Sequence, residues 1–245
     1  MKTKSQELYD SFAPYYRNYS KKKHCYLDSV DSLVVEEIRS FSKTGIKWLD
    51  VGTGDGVRIK ELLKRLPKKS CKVDLVENSV EMAKTCEENF KKPHLLDISS
   101  SDLAGIDSSY DVITCLWNVF GHIDPEVNRA SALKNLASLL GPTGKILIDV
   151  SNRYNLENYG ESNFTANIEE DIKSPSPKNG DIYYPISVSG KTIDSFCHFF
   201  SPFEIKELFL KVNLKIKKEL YINYDTGKLE KTWLRGHLFF VLQRG

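Results

Sequence analysis

The sequence has no excess of either charge: 35 Lys and Arg stand against 33 Asp and Glu, a net of +2 over 245 residues. Proteins that bind nucleic acid usually carry a basic surplus or stripe, so this balance argues against that class of partner. The one dense basic run, Lys21-Lys22-Lys23-His24, reads as a solvated helix end. Paired cysteine spacing is also missing. Cys25, Cys71, Cys86, Cys115 and Cys197 are odd in number, form no C-x-x-C, and several fall inside apolar stretches, which predicts reduced thiols in a reducing compartment. The five histidines show no metal-ligand spacing, so no metal is expected. No segment approaches the ~20 apolar residues that span a bilayer, and the opening Met1–Glu7 lacks an apolar signal core. The expectation is a soluble, cytoplasmic protein with no membrane partner.

What is present is a chain of ordinary globular composition, 40% hydrophobic and 28% charged. Its length suits one large α/β domain with room for an inserted cap. Between Ile46 and Val150 short β-rich runs alternate with helical periodicity. IKWLDV (46–51), KVDLVE (72–77), His94–Ile98, DVITCL (111–116) and KILIDV (145–150) read as strands. Ile59, Leu62, Leu63 and Leu66 mark the first intervening helix. Ser79 caps the second, and Asp124-Pro125 is expected to cap and open the third. Such alternation implies parallel βαβ units in a doubly wound sheet.

Two helices, Ser5–Tyr19 and Leu27–Phe41, are expected before this core. After it the pattern breaks. Residues 151–200 are rich in Asn, Ser, Pro and Gly, with a hairpin expected around Ser189-Gly190 between Tyr183–Val188 and Lys191–Phe199. An excursion this long is usually functional or disordered, and its aromatics (among them Tyr154, Tyr159, Phe164, Tyr183, Tyr184 and Phe196) suggest a wall closing a pocket. Ser201-Pro202-Phe203-Glu204 reads as a capping box opening a further helix. Strands near Leu214–Tyr221 and His237–Gln243 complete the chain. The expected division is a helical lid over 1–44, a cofactor-binding core over 45–150, a β-containing cap over 151–200 and completion of the sheet over 201–245.

The sharpest local signal is Leu49-Asp50-Val51-Gly52-Thr53-Gly54-Asp55-Gly56, placed where a strand turns into a helix. Glycines there let the backbone approach a ligand, and the helix start offers unpaired N–H groups. Glu77 ends the next strand, 21 positions after Gly56, where a carboxylate can accept both hydroxyls of a ribose. The G-x-G-x-G spacing differs from the G-x-G-x-x-G of nicotinamide-dependent oxidoreductases, a rival class. With Leu96-Asp97-Ile98, Tyr110-Asp111-Val112-Ile113 and Leu139-Leu140-Gly141-Pro142-Thr143-Gly144-Lys145 following in order, the sequence resembles the class I S-adenosylmethionine-dependent methyltransferases, of the small-molecule type. Thr143 stands where that family often has glycine.

The resemblance implies a Rossmann-like sheet of about seven strands with the last antiparallel. Asp50, Gly52, Thr53, Gly54 and Gly56 would hold the methionine part of S-adenosylmethionine. Glu77 would take the ribose hydroxyls, and Asp97 the adenine amino group, with Asn78 and Ile98 flanking the ring. Tyr9 and Tyr16 fall on the tyrosine positions of the family's lid helix, where Arg17 replaces a common Asp. Leu116 and Trp117 follow the fourth strand at the edge where such sheets bind ligands. His122, in the same loop, is the candidate general base, because a neutral imidazole can take a proton near pH 7 and the helix start after it disfavours imidazolium. The expected reaction is methyl transfer to an N or O nucleophile of a small molecule. An RNA (tRNA) methyltransferase and a non-catalytic S-adenosylmethionine-binding regulator remain as alternatives, and the oligomeric state is not legible.

Overall fold

The computed structural model describes residues 2–103, 105–188 and 190–245. Seven helices and ten strands follow in chain order: α1 (Lys4–Lys22), α2 (His24–Arg39), β1 (Gly45–Val51), α3 (Val57–Lys64), β2 (Ser70–Glu77), α4 (Val80–Asn89), β3 (His94–Leu95) and β4 (Tyr110–Cys115), then α5 (Glu126–Leu139), β5 (Leu140–Val150), α6 (Leu156–Lys173), β6 (Asp181–Val188), β7 (Lys191–His198), α7 (Pro202–Lys211), β8 (Leu214–Ile222), β9 (Leu229–Glu230) and β10 (His237–Arg244). The main sheet has the order β3-β2-β1-β4-β5-β10-β8-β9. Strands β3 to β5 pair in parallel, whereas β10 is antiparallel to both β5 and β8. The seven expected strands and the antiparallel last one are present, and two-residue β9 adds a short eighth at the edge.

Period-2 alternation explains why the sheet is covered on both faces. In β1, Trp48 packs with Tyr26, Val30 and Ile59 on one side, while Leu49 and Val51 pack with Phe120, Phe200 and the α5 leucines on the other. The same alternation sends Phe239 and Val241 of β10 to the first layer and Leu238, Phe240 and Leu242 to the second. Strand order reverses between β1 and β4, so their carboxyl ends diverge and leave a crevice there.

The helix ends follow their local chemistry. Thr3 and Gln6 form a capping box on α1, and the Ser79 hydroxyl accepts from Met82 N at 3.1 Å to start α4. Helix α1 runs through Pro14, longer than the expected Ser5–Tyr19. Ser201 caps α7 and Pro202 holds its first position, but only half of the expected capping box forms, since the Glu204 carboxylate turns to His198 Nε2 at 2.9 Å.

Three expectations are corrected. Asp124-Pro125 does not cap α5: Pro125 itself is the cap residue, after a cis Asp124–Pro125 peptide, and the helix opens at Glu126. The third strand stops at Leu95, so Asp97 and Ile98 sit in the following loop. The segment after β5 contains α6, capped by Asn155 and broken at Gly160, which the sequence hid because the helix buries no residue and so shows no apolar stripe. The β6–β7 hairpin forms as expected, with Ser189 of its turn outside the described residues.

Candidate active site

The loop joining β1 to α3 turns through Gly52, Gly54 and Gly56, all with φ between 62° and 71°. Its N–H groups at Gly52 and Thr53 donate to the Val76 carbonyl, which ties the loop to the end of β2. A Cβ on Gly52 would stand 2.5 Å from Val119, and one on Gly54 2.9 Å from the Tyr16 hydroxyl. Side chains other than glycine would therefore close the space beside the loop. Gly56 serves otherwise: it is the left-handed cap of α3, packed under Cys86, and it does not line the cavity. The structure thus places Gly56 at the helix start, behind the loop that faces the cavity.

The other expected residues surround one cavity at the carboxyl edge of the sheet, with an empty space of about 1030 Å³ that includes its open mouth. Asp50, at the end of β1, accepts from the Thr114 hydroxyl at 2.5 Å, and burial raises its carboxyl to about 6. Glu77, at the end of β2, accepts from the N–H groups of Gly54, Asn78 and Ser79 at 2.9–3.0 Å. Burial pushes it up to about 7 against those bonds, and the neighbouring Asp50 charge adds to the rise. Asn78 lies at the wall beside it, its carbonyl held by Gln6 Nε2 at 3.1 Å. Asp97 and buried Ile98 line the far end, where Asp97 Oδ1 accepts from Ser99 N and Oγ.

The roof is α1. Tyr9 and Tyr16 reach the cavity from it, and Asp10 fastens it by accepting from the Ser79 hydroxyl at 2.7 Å and from Glu81 N. Burial holds both tyrosine hydroxyls well above their ordinary value, so they stay protonated donors.

Leu116 and Trp117 form the wall after β4. Trp117 and Asn118 both take left-handed backbone conformations, φ 60° and 58°, a strain that persists only when surroundings enforce it. Here Asp149 of β5 accepts from Trp117 N, while Asn118 accepts from Ser151 N at 2.8 Å and its amide lies 2.9 Å from Cys197 Sγ. These bonds fix the short 3₁₀ turn Val119–His122 that follows.

His122 sits at the cavity wall, with Tyr9 edge-on at 5.5 Å between ring centres. Its Nδ1 is 2.9 Å from the Phe196 carbonyl oxygen. A carbonyl only accepts, so Nδ1 carries the proton and Nε2 keeps its lone pair. Burial lowers the His122 basicity, partly opposed by that bond. Burial is the main cause of that lowering, and α5 opens four residues further on.

The insert was expected to line the pocket with aromatic rings. Among the described residues none of its rings does so; they pack on one another, Tyr159 on Phe199 and Tyr183 on Phe196, and the insert reaches the site through the Phe196 carbonyl. Sequence reasoning also missed Met82, Val119 and Arg58 in the walls. Met82 and Val119 read as plain apolar positions, but Arg58, two residues past the glycine loop, was a signal available to be used. Among the described residues no cluster of His, Cys, Asp or Glu suits a metal ion, and no helix is long and apolar enough to cross a membrane.

These residues fit S-adenosylmethionine: a glycine cradle that a Cβ would fill, two buried carboxylates for polar hydrogens, and a closed roof. Known proteins agree. A family model described as "Methyltransferase domain" matches residues 26–219. The glycine/sarcosine N-methyltransferase of Halorhodospira halochloris is 30% identical over 131 residues, 51% of this chain and 47% of that one, so the match spans about half of the curated relative. Two solved structures share the fold: an S-adenosylmethionine-dependent methyltransferase from Clostridium acetobutylicum (18% identity, 97% of this chain and 99% of that one, TM-score 0.62) and an S-adenosylmethionine-bound amino pentose methyltransferase from Micromonospora echinaspora (15%, 94% and 96%, 0.62). The chain belongs to the S-adenosylmethionine-dependent methyltransferase family.

Proposed function

We propose that this chain methylates an N or O nucleophile of a small molecule in a cytoplasmic setting, with His122 as general base. The carrying observation is the fixed tautomer of His122, which leaves Nε2 as a proton acceptor in a roofed cavity. When bound, S-adenosylmethionine supplies an electrophilic methyl group on sulfur and leaves as a neutral thioether. Glu77 would hold the ribose hydroxyls, Asp97 the adenine amino group, and Asp50 with the Gly52–Gly54 backbone the amino-acid end. The acceptor then needs alignment with the methyl carbon and loss of one proton. His122 Nε2 takes that proton, and the Phe196 carbonyl holds the ring in place while it does so. Tyr9 and Tyr16, kept protonated by burial, close the roof and exclude water.

On this reading residues 1–44 act as lid, 45–150 as cofactor core, 151–200 as cap and 201–245 as sheet completion. A roof fastened at Gln6, Asp10 and Tyr16 suits a ligand small enough to be enclosed, and the net charge of +2 gives little electrostatic drive toward RNA. Methyl-labelled S-adenosylmethionine offered with bulk tRNA and, separately, with a metabolite extract tests the proposal. Label in the extract and none in tRNA is expected; the reverse would make this an RNA methyltransferase, and label in neither would favour a cofactor-binding regulator.

A further inference from the structure

We infer that Arg58 anchors the α-carboxylate at the amino-acid end of the cofactor, an assignment that rests on the cofactor reading above. Arg58 lies in the first turn of α3, two residues past the glycine loop, and lines the cavity beside Asp50 and Tyr16. Its Nε donates to Asp31 Oδ1 of α2 at 2.5 Å. That bond holds the guanidinium plane from its stem side. Nη2, by contrast, is buried and meets no partner.

A buried N–H of a charged group without an acceptor is costly, so such a group calls for a partner that the protein itself does not provide. A carboxylate is the partner whose shape matches the outer edge of a guanidinium. The charge arrangement narrows the ligand further. Asp50 and Arg58 set a negative and a positive group at the same end of the cavity. That pair is complementary to a zwitterion, with its ammonium toward Asp50 and its carboxylate toward Arg58. The other guanidinium in the neighbourhood, Arg17, is half exposed, stands 4.0 Å from Asp55 and does not line this cavity. Asp31 is then a positioning residue, which aims the guanidinium without touching the ligand.

The competing account makes Arg58 a counter-ion for half-buried Asp31 and buried Asp50 and Asp149 and nothing more. Calorimetric titration with S-adenosylmethionine and with its decarboxylated form separates the two, since these ligands differ only in the carboxylate. The unsubstituted protein should prefer S-adenosylmethionine by roughly ten- to a hundredfold, the range for a hydrogen bond between charged groups. In Arg58→Met the two affinities should converge, S-adenosylmethionine having fallen to the level of the decarboxylated ligand. Arg58→Lys should keep part of the preference, because it retains the charge but not the planar fork. Each variant serves as its own control, as any unfolded fraction weakens both ligands alike, and Arg58→Lys stands in if Arg58→Met does not fold. A preference that persists in Arg58→Met, or that is missing from the unsubstituted protein, would overturn the assignment. So would an equal loss for both ligands, which marks a structural counter-ion. Binding of neither ligand by the unsubstituted protein would bring down the cofactor reading as well.

Discussion

The two ends of the cavity are built in different ways. At the end proposed for the cofactor, Asp50, the glycine loop, Glu77 and Asn78 belong to two adjacent parallel strands and the turns that leave them. Apart from the Gln6 tie to Asn78, their contacts are short in sequence or set by the strand register. At the end proposed for the acceptor, every bond that fixes the walls joins distant segments: His122 to Phe196, Asn118 to Ser151 and Cys197, Trp117 to Asp149. The first end is a property of the βαβ unit, whereas the second exists only when cap, 3₁₀ turn and sheet are assembled. Binding and turnover should therefore be separable by mutation.

The largest effect is expected at the acceptor end. His122→Ala should lower turnover by ~10²–10⁴-fold, the usual contribution of a general base, with cofactor affinity close to unchanged by calorimetry. A normal rate with the natural acceptor would make His122 structural. Asn118 is a poor replacement, since its amide is already committed to Ser151 and Cys197.

The converse substitution acts on the cofactor end. Glu77→Ala removes a charged acceptor for hydroxyls, a loss of about 1.5–3 kcal/mol, so S-adenosylhomocysteine affinity should drop by roughly ten- to a hundredfold. Unchanged affinity would remove Glu77 from the site. A smaller effect belongs to the roof. Deleting residues 1–20 should leave the sheet folded but weaken cofactor binding by about two- to tenfold, the range for losing aromatic contacts, because Tyr9, Tyr16 and the Gln6 and Asp10 ties go with it. Equal affinity in a folded truncation would show that the roof is dispensable for binding.

A separate effect, on folding and not on the ligand, is a pH dependence of stability. Folding raises Glu77 from 4.5 to about 7 and Asp50 from 3.8 to about 6. A carboxyl whose folded value is raised holds its proton in the native state after the unfolded chain has released it. Its contribution is full below the unfolded value and is lost as pH rises through the folded one. The urea midpoint of the ligand-free protein should thus decline from about pH 4.5 to about pH 7, and Glu77→Gln should flatten that decline. Saturating S-adenosylmethionine should flatten it too, because hydroxyl donors favour the ionised carboxylate. A midpoint that rises over this window would contradict the burial account.

The unequal legibility of the two ends has the same physical origin. That Gly52, Gly54, Glu77 and Asp97 would face one cavity was readable because parallel strands followed by turns bring their carboxyl ends to one edge of the sheet. The place of His122 at the cavity wall was legible from its loop, yet its tautomer depends on a carbonyl 74 residues away, which no local pattern encodes. The aromatic insert misled for a related reason: its rings announce contacts but not with which surface, and here Tyr159 stacks on Phe199, Tyr154 packs on Trp233, and Tyr183 lies exposed beside Phe196. Helix α6 stayed hidden because a helix with no buried face leaves no periodic trace. At Asp124-Pro125 the dipeptide has the composition of a helix opening, and the structure places it one residue outside.

The most direct test of the division is the pH dependence of kcat at saturating cofactor and acceptor, where binding no longer contributes. Because burial lowers His122 below its ordinary 6.5, kcat should fall on the acid side along a limb whose midpoint lies below 6.5. In His122→Ala the residual rate should lose that limb. An acid limb that survives the substitution unchanged, or a His122→Ala enzyme as fast as the unsubstituted one, would contradict a base at this position and with it the assignment of the acceptor end.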